Sequence, residues 1–290
     1  MEKANRVPQT PFHKKILDIF ADESIAYPDI SMPKRHFHSS IEMYFMLKGE
    51  RHYFIEQDTF HVKPRMAVLI QSHQIHKTNT VNHGGYHRFL LQLDPAIFDL
   101  FTKVSNNYSL ITNPYDIVEF SREEWEQVLH TIEQLKAAMV QEDENDYTMT
   151  RLLTLQLITQ FARALQRQQE TSRKQPLLDR IVHASKYEMV HKIILYIQEH
   201  FAEDCSLDMI ADKFYISRAY LTRVFKSITG FTVKEYLILC RIRNAKTLLQ
   251  TTNLSITEIA ERTGFGNITN FEKNFKNTTS MTPLQYRKQK

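Results

Sequence analysis

Nine of the thirteen histidines lie within the first 87 residues, and two of them stand in an ordered pattern with a carboxylate, His36-x-His38-x3-Glu42. Residues at i and i+2 of a strand point to the same face, so both imidazoles and the carboxylate can line one surface. Such a set suits a divalent Zn, Fe or Mn ion, and it equally suits hydrogen bonds to a small polar ligand. A second chemical group lies near the other end. Arg218, Thr222, Arg223 and Lys226 recur at helical spacing in SRAYLTRVFKSITG, as do Thr269, Asn270, Lys273 and Lys276 in NITNFEKNFKN. Guanidinium, amide, hydroxyl and ammonium groups on one exposed helix face are the groups that bond base edges and phosphates. There is no Gly-rich phosphate loop and no GxSxG nucleophile motif.

Charge follows the same division. Residues 187–290 hold 15 Lys/Arg against 10 Asp/Glu, a balance of +5, whereas residues 1–186 hold 22 against 23, a balance of −1. A basic region joined to a neutral one points to a polyanion partner such as nucleic acid. The 290 residues allow two buried cores, and 42% hydrophobic with 24% charged residues is ordinary for soluble protein. No run is long and apolar enough to span a membrane, and MEKANRVPQTPFHKK lacks a signal-peptide core, so the expected place is the cytoplasm, with no membrane partner. Cys205 and Cys240 form no CxxC pair and are expected to be buried thiols.

The elements that must position these groups can be read in outline. IEMYFMLKG, RHYFIEQDTFHV, MAVLIQ and YHRFLLQLD are short, rich in aromatic and β-branched residues, and read as strands of a small sandwich or barrel. A helix is predicted from Ser121, opened by Ser121 and Glu124 as a capping box, with Trp125, Val128, Ile132, Leu135 and Met139 on one face. A second is predicted over about 148–168. The polar stretch that follows, containing Pro176, reads as a linker over 167–186.

The last hundred residues repeat. At a shift of 49, Leu207, Ile210 and Ala211 pair with Ile256, Ile259 and Ala260. At a shift of 50, Leu221, Phe225, Lys226, Thr232 and Tyr236 pair with Phe271, Phe275, Lys276, Thr282 and Tyr286. One supersecondary unit is therefore used twice. Its first copy is a helix opened by Ser206, a turn, and a second helix capped by Ser217 and ended by Gly230; in the second copy Gly264 occupies the turn. The units span about 207–230 and 256–280, joined by the long helix VKEYLILCRIRNAKTLLQ. One such hairpin would pass for an ordinary helix pair with a solvated face. Two with matching caps, in the only basic region, read as a helix-turn-helix pair.

This region, residues 187–290, resembles the DNA-binding domain of the AraC/XylS family. The matching elements are SLDMIADKF, S-x-x-Y-L-T-R-V-F-K, T-G-F-x-x-x-E-Y, R-I-x-x-A-K-x-L-L, S-I-x-E-I-A, F-x-x-x-F-K and T-P-x-x-Y-R. One departure is Ser280, where the family often has Gly at the helix end. The resemblance implies two recognition helices in successive major-groove segments, about 34 Å apart. Ala219, Thr222 and Arg223 match the base-reading positions of the first unit, and Ile268, Thr269, Asn270 and Lys273 those of the second. Arg223 can bond guanine and Asn270 adenine, whereas Ala219 and Ile268 can only touch a thymine methyl. Arg218, Lys226 and Lys276 are better placed for phosphates.

The front of the chain resembles a cupin. His36, His38 and Glu42 match the first cupin motif, and His76, rather than His73, matches the single histidine of the second. Ile30 and Met66 stand where that fold usually has Gly, so the site reads as a ligand pocket without a metal, with a divalent ion at the same four residues as the lesser alternative. The resemblance implies residues 1–166 as an effector-binding and dimerisation domain. His36, His38, Glu42, Tyr44, Phe54 and His76 would surround a small molecule such as a sugar, and the two helices would pair subunits into a homodimer. The expected fold class is α+β: a cupin-like β-barrel with two packing or dimerisation helices, then an all-α domain of two helix-turn-helix units. The function implied is an effector-controlled, sequence-specific transcription activator that binds promoter DNA and recruits RNA polymerase. The competing reading is a metal-dependent cupin enzyme with a helical appendage.

Overall fold

The computed structural model describes residues 9–16, 18–26, 40–72, 74–80, 84–105, 110, 113–140, 144–172 and 185–288. Among the described residues, nine strands form two sheets. The larger has the order β1 (Gln9–Ile16), β2 (Ile19–Ala26), β8 (Tyr86–Leu93), β3 (Ile41–Gly49), β6 (Met66–Ile70), β9 (Tyr115–Glu119). The smaller has the order β5 (Asp58–Val62), β4 (Arg51–Ile55), β7 (His76–Thr80), and all neighbours in both are antiparallel. Helix α1 (Pro95–Ser105) follows β8.

β3 is covered on both faces. Ile41, Met43 and Phe45 join the core shared with Phe89, Leu91, Val128, Ile132 and Phe161, while Tyr44 and Met46 join Tyr53, Ile55, Val68 and Leu90 between the two sheets. The period of two therefore assigns each strand residue to the helices or to the barrel interior. β1, β2, β7, β9 and α1 were not among the predicted elements. β1 and β7 are polar in composition, and their pairing with β2 and β4 supplies what their sequences do not announce.

Helices α2 (Arg122–Val140) and α3 (Glu144–Ser172) lie on the outer face of the large sheet. The predicted capping box is present: the Glu124 amide donates to Ser121 Oγ at 3.2 Å and the Ser121 amide to Glu124 Oε2 at 2.7 Å. All five apolar residues foreseen on α2 are buried against the sheet. α3 runs to Ser172, into the segment expected to be linker. Arg167 bonds Glu124 and the Glu119 carbonyl, and Gln168 donates to the Ile117 carbonyl, which holds that last stretch against β9.

The second half is helical: α4 (Ser185–His200), α5 (Leu207–Lys213), α6 (Arg218–Thr229), α7 (Val233–Thr251), α8 (Ile256–Arg262), α9 (Ile268–Thr279) and α10 (Pro283–Arg287). Ser206, Ser217, Ser255 and Asn267 cap the four helices of the two units. α6 ends at Gly230 with φ of 76°, and α9 ends at Ser280 with φ of 63°, the same left-handed cap made by a residue with a Cβ. Gly264 has φ of 79°, and a Cβ there would come within 2.7 Å of the Ala202 carbonyl oxygen. Its counterpart in the first unit is Tyr215, which holds φ of 55° with its side chain in solvent. Both cysteines are buried free thiols.

Candidate functional site

Each unit buries one face of its second helix and leaves the other bare. In α6, Leu221, Val224, Phe225 and Ile228 are buried, while Arg218, Ala219, Thr222, Arg223 and Lys226 are exposed. In α9, Phe271 and Phe275 are buried, while Ile268, Thr269, Asn270, Lys273 and Lys276 are exposed. Arg218, Ala219, Thr222, Arg223 and Lys226 line one open groove, and a second groove brings Thr222 together with Asn270 and Lys273 of the other unit. Two side chains already have partners. Arg218 Nε donates to Asp208 Oδ1 at 3.0 Å, and Asn270 Oδ1 accepts from Asn274 Nδ2 at 2.7 Å. α7 fixes the spacing, its Arg241 donating to the carbonyls of Phe201 at 2.7 Å and Glu203 at 2.9 Å.

The barrel interior gathers part of the expected pocket. Glu42, Tyr44 and His76 are all buried there. Tyr53 donates its hydroxyl to Glu42 Oε1 at 2.8 Å, His76 Nε2 stands 3.6 Å from Glu42 Oε2, and the Tyr44 and Tyr53 rings meet edge to face at 5.1 Å. Burial, then the Glu42 charge, pushes the Tyr53 hydroxyl well above the usual phenol range, so it stays a donor. His36 and His38 lie outside the described residues.

Phe54 is a correction. It does not face the pocket but packs edge to face on Phe231 at 6.2 Å and on Tyr236 at 6.1 Å, in the core of the first helical unit. Alternation decides this: with Arg51, Tyr53 and Ile55 turned into the barrel, Phe54 must turn out. Tyr53, Arg51 and Arg88 take interior positions that the sequence reading did not assign, although alternation along RHYFI would have exchanged Tyr53 for Phe54.

The outward side chains of the small sheet form a joint with the helical half. Lys77 Nζ donates to the Gly230 carbonyl at 2.6 Å, the Tyr236 hydroxyl donates to the Glu56 carbonyl at 3.0 Å, and Arg243 Nη1 pairs with Glu56 Oε2 at 2.6 Å. Glu56 also accepts the Ile75 amide at 2.7 Å, next to His76. A Cβ on Gly230 would stand 2.7 Å from both Lys77 Cδ and Asn79 Oδ1, so the contact needs glycine for closeness as well as for φ. No motif announces this joint, because each partner lies some 150 residues or more from the other.

Two family models divide the chain. The AraC-like ligand binding domain matches residues 24–180, and a helix-turn-helix domain matches residues 210–289. The chain belongs to the AraC family. The chain is similar to the HTH-type transcriptional activator RhaS of Escherichia coli, 31% identical over 164 residues that make up 55% of this chain and 54% of RhaS. The Msm operon regulatory protein of Streptococcus mutans is 32% identical over 100 residues, 34% of this chain and 36% of that protein. The chain thus spans about half the length of RhaS and about a third of the Msm regulator. Among solved structures, the C-terminal domain of AraT from Geobacillus stearothermophilus is 33% identical, covering 37% of this chain and 89% of its own at a TM-score of 0.36. The AraC-family ligand domain takes in Glu42, Tyr44, Tyr53 and His76, and the helix-turn-helix match takes in every exposed residue of α6 and α9 named above. Among the described residues, no helix is long and apolar enough to cross a membrane.

Proposed function

We propose that this AraC-family chain is a cytoplasmic transcription activator that binds promoter DNA through α6 and α9 and answers to a small molecule held in its barrel. The observation that carries the reading is the duplicated unit. Each copy is capped at matching positions and has a buried apolar face, and each turns polar and basic groups outward on its second helix. RhaS, to which the chain is similar, is a transcriptional activator by name. In this reading Thr222, Arg223, Asn270 and Lys273 read bases, with Ala219, Ile268 and Thr269 beside them, and Lys226 and Lys276 hold phosphates. Arg218 must leave Asp208 to join them. Both halves match regulator modules, and that sets the enzyme reading aside.

The joint supplies a route from ligand to DNA. Tyr53 and His76 face the pocket, and their strand neighbours Phe54 and Lys77 hold the α6–α7 turn. A ligand that shifts β4 or β7 must move the first unit with it, and that biases which DNA boxes both units occupy together. A homodimer and contact with RNA polymerase complete the scheme. For the dimer, the apolar faces of α2 and α3 are spent on their own sheet, and Leu129, Val140, Met149 and Leu152 are the exposed apolar residues left on those helices. The pocket is read as working without a metal, with Glu42 engaged by Tyr53.

The test is retention of fragmented host DNA by the full chain at about 150 mM salt, followed by sequencing. Recovery of sites with two short boxes about one helical turn apart, about 10 base pairs, is expected. Sequence-independent retention that disappears with salt, with and without host metabolite extract, would overturn the reading.

A further inference from the structure

Among the described residues, the barrel interior holds buried hydrogen-bond donors that meet no acceptor. Glu42 is engaged by Tyr53 and stands beside His76. Arg88 gives Nη2 to Asp22 Oδ2 at 2.9 Å, but its Nε and Nη1 are buried with no acceptor, and so is the Tyr44 hydroxyl. The two residues are neighbours, the Arg88 guanidinium carbon lying 5.7 Å from the centre of the Tyr44 ring. A second guanidinium, Arg51, is fully buried in the same interior, 4.0 Å over the Tyr86 ring.

The unmet groups define their partner. A guanidinium has donors and no acceptor, and burial drives the Tyr44 hydroxyl above the ordinary phenol range, so it too keeps its proton to donate. Three buried donors without an acceptor are costly and become favourable around the right group. A neutral polyol accepts such bonds as well, but each of its hydroxyls adds a proton that needs an acceptor of its own, and it carries no charge to match a guanidinium. A carboxylate brings acceptors only and fits the planar fork of an arginine. Glu42, whose charge reaches both Tyr44 and Arg88, accepts and so favours a hydroxyl on the ligand.

We propose that the barrel takes a small hydroxy acid of the sugar-acid class, its carboxylate on Arg88 and Tyr44 and a hydroxyl toward Glu42. This rests on the reading of the barrel as the ligand pocket. It adds the charge of the ligand and the two residues that select it.

The test uses the full chain and matched pairs that differ in the carboxylate: D-galacturonate against D-galactose, and D-gluconate against D-glucitol, by thermal shift and calorimetry. At least one acid is expected to raise the melting temperature while its neutral partner does not. Arg88→Gln is expected to abolish that response, but it strands Asp22 and can fail to fold. Tyr44→Phe keeps the Arg88–Asp22 pair and the ring packing, and is expected to weaken the acid about tenfold. Equal binding of the neutral partners, no response to either acid, or unchanged binding by Tyr44→Phe overturns the proposal. DNA selection is read separately. A chain that still retains specific boxes but ignores acids loses this proposal alone, whereas one that selects no boxes loses the regulator reading.

Discussion

Glu56 and Arg243 meet at 2.6 Å across the boundary between the barrel and the helical half, 187 residues apart in sequence. Glu56 sits in the β4–β5 turn with φ of 55°, an uncommon backbone for a residue other than glycine. Its amide and side chain both bond Ile75, while its carbonyl and carboxylate hold Tyr236 and Arg243. One turn residue thus touches the residue that leads into the strand of His76 and the helix that joins the two helix-turn-helix units.

The pair is partly exposed, so its own energy is modest. A double-mutant cycle of Glu56→Gln and Arg243→Gln is expected to give a coupling of about 1 kcal/mol in thermal unfolding. Phe54→Ala, which empties a fully buried aromatic site, should cost about 3 kcal/mol. The informative readout is functional: Phe54→Ala should leave ligand affinity nearly unchanged while the effect of ligand on DNA retention falls. Loss of both together would place Phe54 in the pocket after all.

Arg223 and Lys226 share a helix face and should fail differently. Arg223→Ala is expected to relax preference at one base position and cost about 1–3 kcal/mol there. Lys226→Ala should weaken binding to all sequences alike and lower the salt slope by about one. Binding measured on a set of single-base variants at several salt concentrations separates the two.

The two copies end alike at Gly230 and Ser280, with only the first relieved of its Cβ. Ser280→Gly is expected to raise stability by about 1 kcal/mol, visible as a higher midpoint in thermal unfolding. Gly230→Ala should be harmful, since its Cβ would also meet Lys77 and Asn79. A neutral Ser280→Gly would mean that the cap carries no strain.

Asp116 on β9 is buried, and burial raises its carboxyl from the ordinary 3.8 to about 6 despite the hydrogen bond from Asn113. An acid with a raised folded pKa holds its proton more tightly when folded. Its cost is therefore absent below about pH 4, grows as pH climbs to about 6, and is level above. Asp116→Asn keeps an acceptor for Asn113 and should add about 1–3 kcal/mol at pH 7, with the gain vanishing near pH 4. An equal gain at both pH values would refute the assignment.

The sequence by itself determined what is local or periodic. Ser121, Ser206 and Ser217 were legible as caps because each needs only the next three residues to make its bond. The two units were legible because a repeat shows itself by comparison within the chain, and outer faces follow from the 3.6 period once inner faces are known. Glu42, Tyr44 and His76 were found as interior groups, while Phe54 was placed on the wrong side because its strand was read by residue type rather than by alternation. Only the tertiary structure decided the rest. It paired polar β1 and β7 into sheets, carried α3 past Arg167 on bonds to β9, and spent the faces of α2 and α3 on their own barrel. It also set Arg88 beside Tyr44 and Glu56 against Arg243. These relationships join residues tens to nearly two hundred positions apart, and they arise when sheets close and domains pack, a step that leaves no pattern along the chain.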